Sequence, residues 1–393
     1  MYYIFGIIIL VAVISSYYYF KPEKKVTKDV FNAEYYRGLN YILNNQEDRA
    51  FKIFTALMDV DSSTIETHLA LGGLYRKRGE FDKAILIHQN LLSRPTLEQE
   101  LKNQALYELA KDFHSAGLYD RSEKIFKNLS EFSSYNLSCS EELIKLYEVT
   151  KDWDAAIEIV NNLKVDEINN HKKDLLVSQY LCEISSDHYE NSEIERAVAV
   201  SKKAQKSYPD CLRSLLQLAE YYSSRDVKLS LQYYYNAIII DESFAKYILN
   251  KIIGLSKHSE NNSSVLDTVN TISEIKSLTF IPDIFIYLFY QLDKETALRY
   301  SDKFRGNDEF EEFLINSTIV ISGNEDIVKT SMIESMLDSY KKIFSKDFLF
   351  LCKSCGYKST VLNWLCPSCN NWCTSSPKTT FDLIGANAKN VRQ

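Results

Sequence analysis

The most regular pattern along the chain is the placing of small, large apolar and polar positions over residues 65–98. Gly72 and Ala84 supply small positions, and large apolar residues recur around them at helical spacing, namely Leu71, Tyr75, Phe81 and Leu91. Two antiparallel helices can touch where side chains are small, while large residues fill the surrounding gaps. Gly79 occurs where the first helix should end, and Pro95 follows the second, where it interrupts nothing. The stretch predicts a two-helix hairpin.

The same pattern recurs along the chain, with copies that begin near residues 31, 65, 103, 137, 178 and 212. A recurring two-helix unit of about 34 residues is the tetratricopeptide pattern, whereas one copy would also fit an ordinary helical domain. The spacing of the copies varies, and the sixth needs a one-residue adjustment, so we expect the insertions to lie in loops between copies. Residues 31–246 are therefore predicted to be tetratricopeptide repeats, in an all-α superhelical solenoid whose concave surface binds peptides or proteins.

Residues 247–345 keep the periodicity of helices, but the repeat positions cannot be assigned to them. Helical periodicity is clearest at Ile281–Leu292, Glu295–Phe304 and Glu325–Phe344. We predict degenerate helical repeats for this region.

The N-terminal segment, residues 2–20, carries no formal charge and has tyrosines at both ends. A helix of that length nearly spans a hydrocarbon core of ~30 Å, and interfacial aromatics anchor such helices. Basic residues follow it directly, which are Lys21, Lys24, Lys25 and Lys28. Residues 1–20 are predicted to be a single-pass transmembrane anchor with the bulk of the chain in the cytoplasm. The alternative, a signal peptide cleaved near Ile14, lacks the basic n-region and short h-region that such peptides have.

Eight cysteines are unevenly placed along the chain. Cys139, Cys182 and Cys211 are scattered through the helical region, where we expect small buried apolar side chains. The other five lie close together near the C-terminus, at positions 352, 355, 366, 369 and 373.

Two Cys-x-x-Cys motifs in this cluster predict a metal site in a small domain over residues 349–376, followed by a tail over residues 377–393. Cys352, Cys355, Cys366 and Cys369 could bind one tetrahedral zinc or iron ion through four thiolates. Gly356 and Asn370 follow the second cysteine of each motif, where positive φ is often required. Two disulfides or a dithiol redox pair are the alternatives, and a reducing cytoplasm disfavours persistent disulfides.

Four thiolate ligands leave no open coordination position, so a hydrolytic zinc centre is not expected. Cys373 is a spare thiol outside the motif, and Tyr357, Trp364 and Trp372 are candidates to shield the sulfurs. Residues 349–393 hold five basic side chains against Asp382 alone, in a chain of net charge −7. A positive domain of this kind could dock on the acidic helical region.

Other chemistry is not indicated by the sequence. It contains no phosphate-binding loop, no His-Glu-x-x-His motif and no nucleophile elbow. The six histidines lie in the helical region without ligand spacing, and the overall charge of −7 does not favour nucleic acid. We therefore predict a protein that is not an enzyme and does not bind nucleic acid.

Two stretches carry a resemblance to a known family. They are His68–Gly79 with its continuation Ala84–Gln89, and the tail motifs Cys352-Lys-Ser-Cys-Gly and Trp364-Leu-Cys-Pro-Ser-Cys. With the anchor and repeats, the chain resembles the lipopolysaccharide assembly protein B family of Gram-negative bacteria. Asn370 and Cys373 depart from that pattern.

The resemblance implies a rubredoxin-like metal domain with Cys352, Cys355, Cys366 and Cys369 as ligands, on an inner-membrane regulator. It also implies partners: the membrane protease FtsH, its substrate LpxC in lipid A synthesis, and other membrane proteins of the lipopolysaccharide pathway. A membrane-anchored, rubredoxin-like electron-transfer protein is the first alternative, since an iron centre of four thiolates can change oxidation state. A general tetratricopeptide scaffold and a nucleic-acid-binding ribbon are the others.

Overall fold

The computed structural model describes residues 28–44, 46–60, 65–95, 97–164, 168–255, 262–275 and 349–378. Within these ranges the helices are α1 Lys28–Leu43, α2 Glu47–Val60, α3 Ile65–Lys77, α4 Phe81–Leu92, α5 Gln99–Ser115, α6 Tyr119–Ser130, α7 Asn136–Thr150, α8 Trp153–Asn162, α9 Asn170–Glu190, α10 Ile194–Ser207, α11 Leu212–Tyr222, α12 Val227–Ile240, α13 Ala245–Leu255 and α14 Asn262–Ser273. A 3₁₀ turn spans Glu242–Phe244, and the strands are β1 Leu349–Cys352, β2 Lys358–Ser359 and β3 Ser375–Lys378.

The chain divides into two compact units, Met1–Asp152 and Trp153–Gln393. The first contains α1 to α7, in which consecutive helices pack pairwise around a core that includes Phe54, Leu71 and Leu74. The second contains α8 to α14 and the three strands. Its largest apolar cluster is built from α11 to α14, and Leu362 and Trp364 of the C-terminal region pack against it. Each unit therefore has its own core.

Small residues mark the helix contacts inside the hairpins, as the sequence predicts. Ala84 is fully buried in α4, and Ser122 of α6 donates a hydrogen bond to the Ala110 carbonyl of α5 over 2.8 Å. The equivalent contacts in the second unit join Ser185 to the Ala197 carbonyl at 2.8 Å and Ser230 to the Ala219 carbonyl at 2.6 Å. The partners are 12 residues apart in the first two pairs and 11 in the last. The one-residue adjustment expected for the sixth copy is confirmed.

Glycines with positive φ end two of the first helices. Gly79 follows α3 with a φ of +77°, and Gly117 follows α5 with a φ of +75°. This left-handed conformation is open to glycine at little cost, and it turns the chain so that the next helix can run back. The predicted role of Gly79 is confirmed.

Replacing Gly72 with alanine should lower the free energy of unfolding by about 1–3 kcal/mol, because the site is already full. A Cβ at this position would lie 2.4 Å from Nε2 of His88. The neighbouring Gly73 is the matched control, since the nearest atom to its Cβ would be Arg76 Nη2 at 3.8 Å. There, alanine should stabilise the helix by about 0.5–1 kcal/mol. Urea denaturation measures the free energy of unfolding of both variants. Equal changes in that free energy would contradict the close contact between position 72 and His88.

The expectation that insertions lie only between repeats is wrong for the fifth copy. Its predicted start near residue 178 falls inside α9, which has 21 residues and begins at Asn170. Asn169 caps this helix by accepting a hydrogen bond from the backbone N–H of His171 at 2.9 Å. No glycine or proline interrupts residues 170–177, so the extra residues lengthen the helix instead of forming a loop.

Several predicted segments fall outside the described residues. They are the anchor over residues 1–20, the helices at Ile281–Leu292, Glu295–Phe304 and Glu325–Phe344, and the tail beyond Lys378. Across the ranges that the structure does describe, none of the helices combines the length and the apolar character needed to cross a membrane.

Candidate metal centre

The C-terminal ribbon, residues 349–378, is a three-stranded antiparallel sheet with the strand order β2-β1-β3. Phe350 pairs with Ser359 of β2 and with Pro377 of β3. The central strand β1 ends at Cys352, so the sheet fixes the backbone that leads into the first cysteine motif. Phe350 and Cys352 are both buried, which anchors this end of the ribbon.

The two cysteine motifs form loops with the same hydrogen bonds. In the first, the N–H of Cys352 donates to the Tyr357 carbonyl at 2.9 Å, and the N–H of Gly356 donates to the Cys352 carbonyl at 3.0 Å. In the second, the N–H of Cys366 donates to the Asn371 carbonyl at 3.0 Å, and that of Asn370 donates to the Cys366 carbonyl at 2.9 Å. Each loop therefore closes on its own first cysteine.

Positive φ occurs at both positions where the sequence predicts it. The values are +76° at Gly356 and +52° at Asn370. Glycine enters this region freely, and asparagine is among the residues that tolerate it best. The departure from the family pattern at Asn370 is thus compatible with the loop.

The two loops bring four sulfurs together, those of Cys352, Cys355, Cys366 and Cys369. Cys352 Sγ lies 3.7 Å from Cys369 Sγ, Cys355 Sγ lies 3.7 Å from Cys366 Sγ, and all four atoms lie within 4.8 Å of one another. With metal–sulfur bonds of ~2.3 Å, a regular tetrahedron has sulfur–sulfur edges of ~3.8 Å. The four side chains could therefore bind one metal ion, and their arrangement suits zinc or iron.

Two of the four thiols have pKa values shifted in opposite directions. The pKa of Cys352 is lowered to about 6, first by its hydrogen bond with the Thr374 hydroxyl, whose Oγ1 lies 3.2 Å from Sγ. The Asn371 N–H lowers the pKa of Cys369, but burial and the neighbouring sulfurs outweigh it and raise that pKa to about 12. Four thiolates so close together repel one another, and a divalent metal removes that repulsion.

Cys373 lies outside this group of four sulfurs. It follows the second loop with a φ of +56°, and its N–H donates to the Trp364 carbonyl at 2.7 Å. Cys373 is exposed to solvent on one side, but desolvation by the surrounding protein and the nearby Cys211 raise the pKa of its thiol to about 12. Its position is therefore consistent with the expectation of a spare thiol.

The ribbon docks on the helices of the second unit through aromatic side chains. Trp372 contacts Trp153 of α8 and Tyr180 of α9, with ring centroids 6.3 Å and 5.8 Å apart. Trp364 lies nearly parallel to Phe244 of the 3₁₀ turn, at 4° and a centroid distance of 6.2 Å. Both tryptophans thus face helices, which modifies the expectation that they shield the sulfurs.

A third aromatic contact and one cation complete the docking surface. Phe350 of β1 meets the ring of Tyr247 in α13 at 5.8 Å, and the guanidinium of Arg213 in α11 lies 5.9 Å from the Trp364 ring. The ribbon docks on the helices as expected, but the described contacts are aromatic and the cation comes from the helices, so they do not support the charge-based reason for docking. The sequence analysis missed Arg213, Tyr180 and Phe244, whose residue types also fit ordinary repeat positions.

Replacing Trp364 with alanine should weaken docking of the ribbon by about 2 kcal/mol, through lost burial and lost ring contact. Limited proteolysis of the full chain measures the undocked population, and cleavage near the ribbon should become about thirtyfold faster. Val361→Ala is the matched control, because the Val361 side chain is 65% exposed on the same ribbon. Equal cleavage rates for the two variants would contradict a docking role for Trp364.

Comparison with known proteins gives relatives that match almost the full chain, although no family model matches it. Lipopolysaccharide assembly protein B of Escherichia coli strain K12 is 24% identical over 377 residues, covering 92% of this chain and 93% of that protein. The protein of the same name from Haemophilus influenzae is 26% identical over 392 residues, covering 91% of this chain and 93% of that protein.

Among solved structures, the C-terminal part of a TPR repeat-containing protein from Cytophaga hutchinsonii covers 68% of this chain and 98% of its own. It is 14% identical, with a TM-score of 0.39. The assignment of tetratricopeptide-like hairpins rests on the helices and small-residue contacts described above. The resemblance carried by the repeat and cysteine motifs is confirmed, and the chain is a homologue of the proteins named lipopolysaccharide assembly protein B.

Proposed function

We propose that this chain is a membrane-tethered adaptor in lipopolysaccharide assembly that acts through protein contacts and catalyses no reaction. The observation that carries the proposal is the match to lipopolysaccharide assembly protein B over more than nine-tenths of both chains. Paired helices of the tetratricopeptide type support it, because arrays of such hairpins commonly present surfaces to other polypeptides.

In this proposal Cys352, Cys355, Cys366 and Cys369 hold one zinc or iron ion. The bound ion supplies the bonds that keep the two loops of the ribbon together. The loop hydrogen bonds orient the four sulfurs, and Phe350, Trp364 and Trp372 seat the ribbon on the helices. The ribbon thereby stiffens the helices that it covers.

Residues 1–20 are proposed to anchor the chain in the bacterial inner membrane, with the repeats on the cytoplasmic side. The absence of charge from residues 2–20 and the lysines that follow support this placement. Tethering would hold the repeats beside membrane proteins of the lipopolysaccharide pathway. The proposed partners are the membrane protease FtsH and its substrate LpxC, whose degradation the adaptor would promote.

The test compares three forms of the chain in Gram-negative cells that lack their own copy. The full chain should shorten the half-life of LpxC, while a chain without residues 1–20 should leave it as long as in the deletion strain. Replacing residues 1–20 with an unrelated transmembrane segment is the control for tethering and should restore degradation. If the chain without its anchor restores degradation, tethering is wrong; if the full chain fails to do so, the adaptor role is wrong.

A second experiment identifies the partners. Affinity purification of the full chain from solubilised membranes, analysed by mass spectrometry, should recover FtsH and LpxC. A chain carrying Trp364→Ala, matched with one carrying Val361→Ala, would show whether a docked ribbon is needed for recovery. Recovery of neither protein with the full chain would count against both proposed partners.

The exposed position of Cys355 favours electron transfer as the second candidate function. A four-thiolate iron centre with a ligand at the surface can exchange electrons with a partner. This alternative requires iron in the purified chain, reversible bleaching on reduction, and loss of function when zinc replaces iron. The adaptor proposal requires that the zinc-loaded chain still shorten the LpxC half-life.

A further inference from the structure

A cleft in the second unit brings together residues that neither the metal site nor the repeat pattern uses. It has a volume of about 560 Å³ and is lined by parts of α9, α11, α12 and the ribbon. Cys211 and Gln179 line its helical side, while Cys373 and Lys353 line its ribbon side. Two thiols therefore face one open cavity next to the docking surface.

A third thiol lies directly behind Cys211. Cys182 of α9 and Cys211 are 0% and 1% exposed, and their sulfurs are 3.9 Å apart. A disulfide has an S–S distance of ~2.05 Å, so the two sulfurs would need to approach by only about 2 Å. The pair is thus near the geometry of a disulfide while both thiols are free.

The surroundings of Cys211 stabilise a negative charge on its sulfur. Cys211 is the N-cap residue of α11, where the unpaired N–H groups of the helix favour an anion. The side chain of Gln179 donates a hydrogen bond to Cys211 Sγ over 3.4 Å. These are the features that activate a cysteine as a nucleophile.

The pKa values of the two thiols in the pair are shifted in opposite directions. The hydrogen bond with Cys182, supported by the neighbouring polar groups of Ser214 and Ser178, outweighs burial and lowers the pKa of Cys211 to about 6. Burial raises the pKa of Cys182 well above its ordinary value. The contact between the two sulfurs therefore favours the thiolate form of Cys211 and the protonated form of Cys182.

We propose that Cys211 is a peroxide-reactive thiol that opens onto this cleft, and that Cys182 is the thiol that resolves its oxidised form. Hydrogen peroxide is the oxidant class that fits, because a residue exposed by only 1% at the wall of a cleft can be reached by a small molecule and not by a bulky disulfide. This site is distinct from the four-sulfur group and does not depend on the adaptor function.

The reaction has two steps whose atoms and electrons balance. The Cys211 thiolate attacks one peroxide oxygen, the O–O bond breaks, and the departing hydroxide takes a proton to become water, which leaves a sulfenic acid. The Cys182 sulfur then attacks Cys211 Sγ, the S–O bond breaks, and the hydroxyl leaves as water with the Cys182 proton. In total, two thiols and one hydrogen peroxide give one disulfide and two waters.

The product would link α9 to the N-cap of α11 at the wall of the cleft. Trp364 and Lys353 of the ribbon line the same cleft, so oxidation would change the surface beside the docked ribbon. The site could thereby make docking sensitive to oxidants.

The test treats the purified full chain with hydrogen peroxide at pH 7 and follows each cysteine by differential alkylation and peptide mass spectrometry. Cys139 is the internal control: it is 0% exposed, and burial raises its pKa to about 12. We expect Cys211 to react at least about tenfold faster than Cys139, because Cys211 lines the cleft at the N-cap of α11, where the thiolate form is favoured. The expected product is the Cys182–Cys211 disulfide. Equal rates for Cys211 and Cys139, or a Cys211–Cys373 disulfide as the main product, would overturn the proposal.

Two variants separate the roles of the pair. In Cys182→Ser, the sulfenic acid at Cys211 should accumulate and be captured by dimedone. In Cys211→Ser, Cys182 should become as unreactive as Cys139. Capture at Cys182, or rapid oxidation of Cys182 without Cys211, would contradict the assignment. Circular dichroism checks that both variants fold, and the rate comparison in the unchanged chain needs neither of them.

Discussion

Replacing Cys366 with alanine is expected to unfold the ribbon and abolish stoichiometric metal binding. Cys366 is fully buried, and its sulfur lies 3.7 Å from that of Cys355. Metal binding stabilises small domains of this kind by about 10 kcal/mol or more, and a segment of about 30 residues cannot replace that with its own core. Loss of one ligand should therefore leave residues 349–378 without a stable fold.

The measurements are metal content by mass spectrometry and tryptophan fluorescence. The chain has three tryptophans, and all of them, Trp153, Trp364 and Trp372, lie at the docking contacts. Their emission should shift to longer wavelength when the ribbon undocks. Cys373→Ala is the matched control, since Cys373 lies outside the four-sulfur group, and it should retain one metal per chain. A Cys366→Ala chain that keeps both its metal and its emission would contradict the proposed site.

Replacing Asp112 with alanine should lower the free energy of unfolding of the first unit by about 3–5 kcal/mol. The Asp112 side chain is completely buried in α5. Its Oδ1 accepts a hydrogen bond from Arg76 Nη1 at 2.6 Å, and its Oδ2 lies 2.5 Å from His88 Nδ1. Asp112 joins three helices, because Arg76 belongs to α3, His88 to α4 and Asp112 itself to α5. Removal of the carboxylate leaves both partner side chains desolvated and without its negative charge.

Arg76 also pairs with Glu108, at 2.6 Å between Nη2 and Oε2. Burial alone would raise the pKa of Glu108, but Arg76 and Lys111 hold it below its usual value. This second pair cannot take over the role of Asp112, because Glu108 does not reach His88 in the described contacts.

Asp48→Ala is the control for the Asp112 variant. Asp48 also pairs with an arginine, Arg78 at 3.2 Å, but its side chain is 87% exposed. Exposed pairs contribute about 0–1 kcal/mol, so this variant should unfold at nearly the unchanged urea concentration. Similar midpoints for the Asp48 and Asp112 variants would show that burial of the network contributes little.

Features set by neighbours in sequence could be predicted. The hairpins follow from small residues at a fixed separation, such as Ala110 and Ser122, and from glycine at a helix end, such as Gly79. The four sulfurs follow from two Cys-x-x-Cys loops, each closed by its own backbone hydrogen bonds. In both cases the contacts that define the feature join residues close in sequence, so the spacing of these residues is enough to predict it.

Features set by distant contacts could not be predicted. Trp153 matches a large apolar position of the repeat pattern, and only the folded structure shows that its ring contacts Trp372. The buried group of Arg76, His88 and Asp112 consists of residue types that usually occupy helix surfaces. Likewise, we expected Cys182 and Cys211 to be small buried apolar side chains. They are buried as expected, but their separation of 29 residues conceals the contact between their sulfurs.

The docking of the ribbon has a consequence for biosynthesis. Trp372 meets Trp153, a residue synthesised 219 positions earlier, so this contact cannot form until the ribosome has added at least those 219 residues. Until then, α8 and α9 present uncovered aromatic rings to the cell. Prematurely terminated products would keep that apolar surface exposed, which makes them targets for chaperones and for proteolytic clearance.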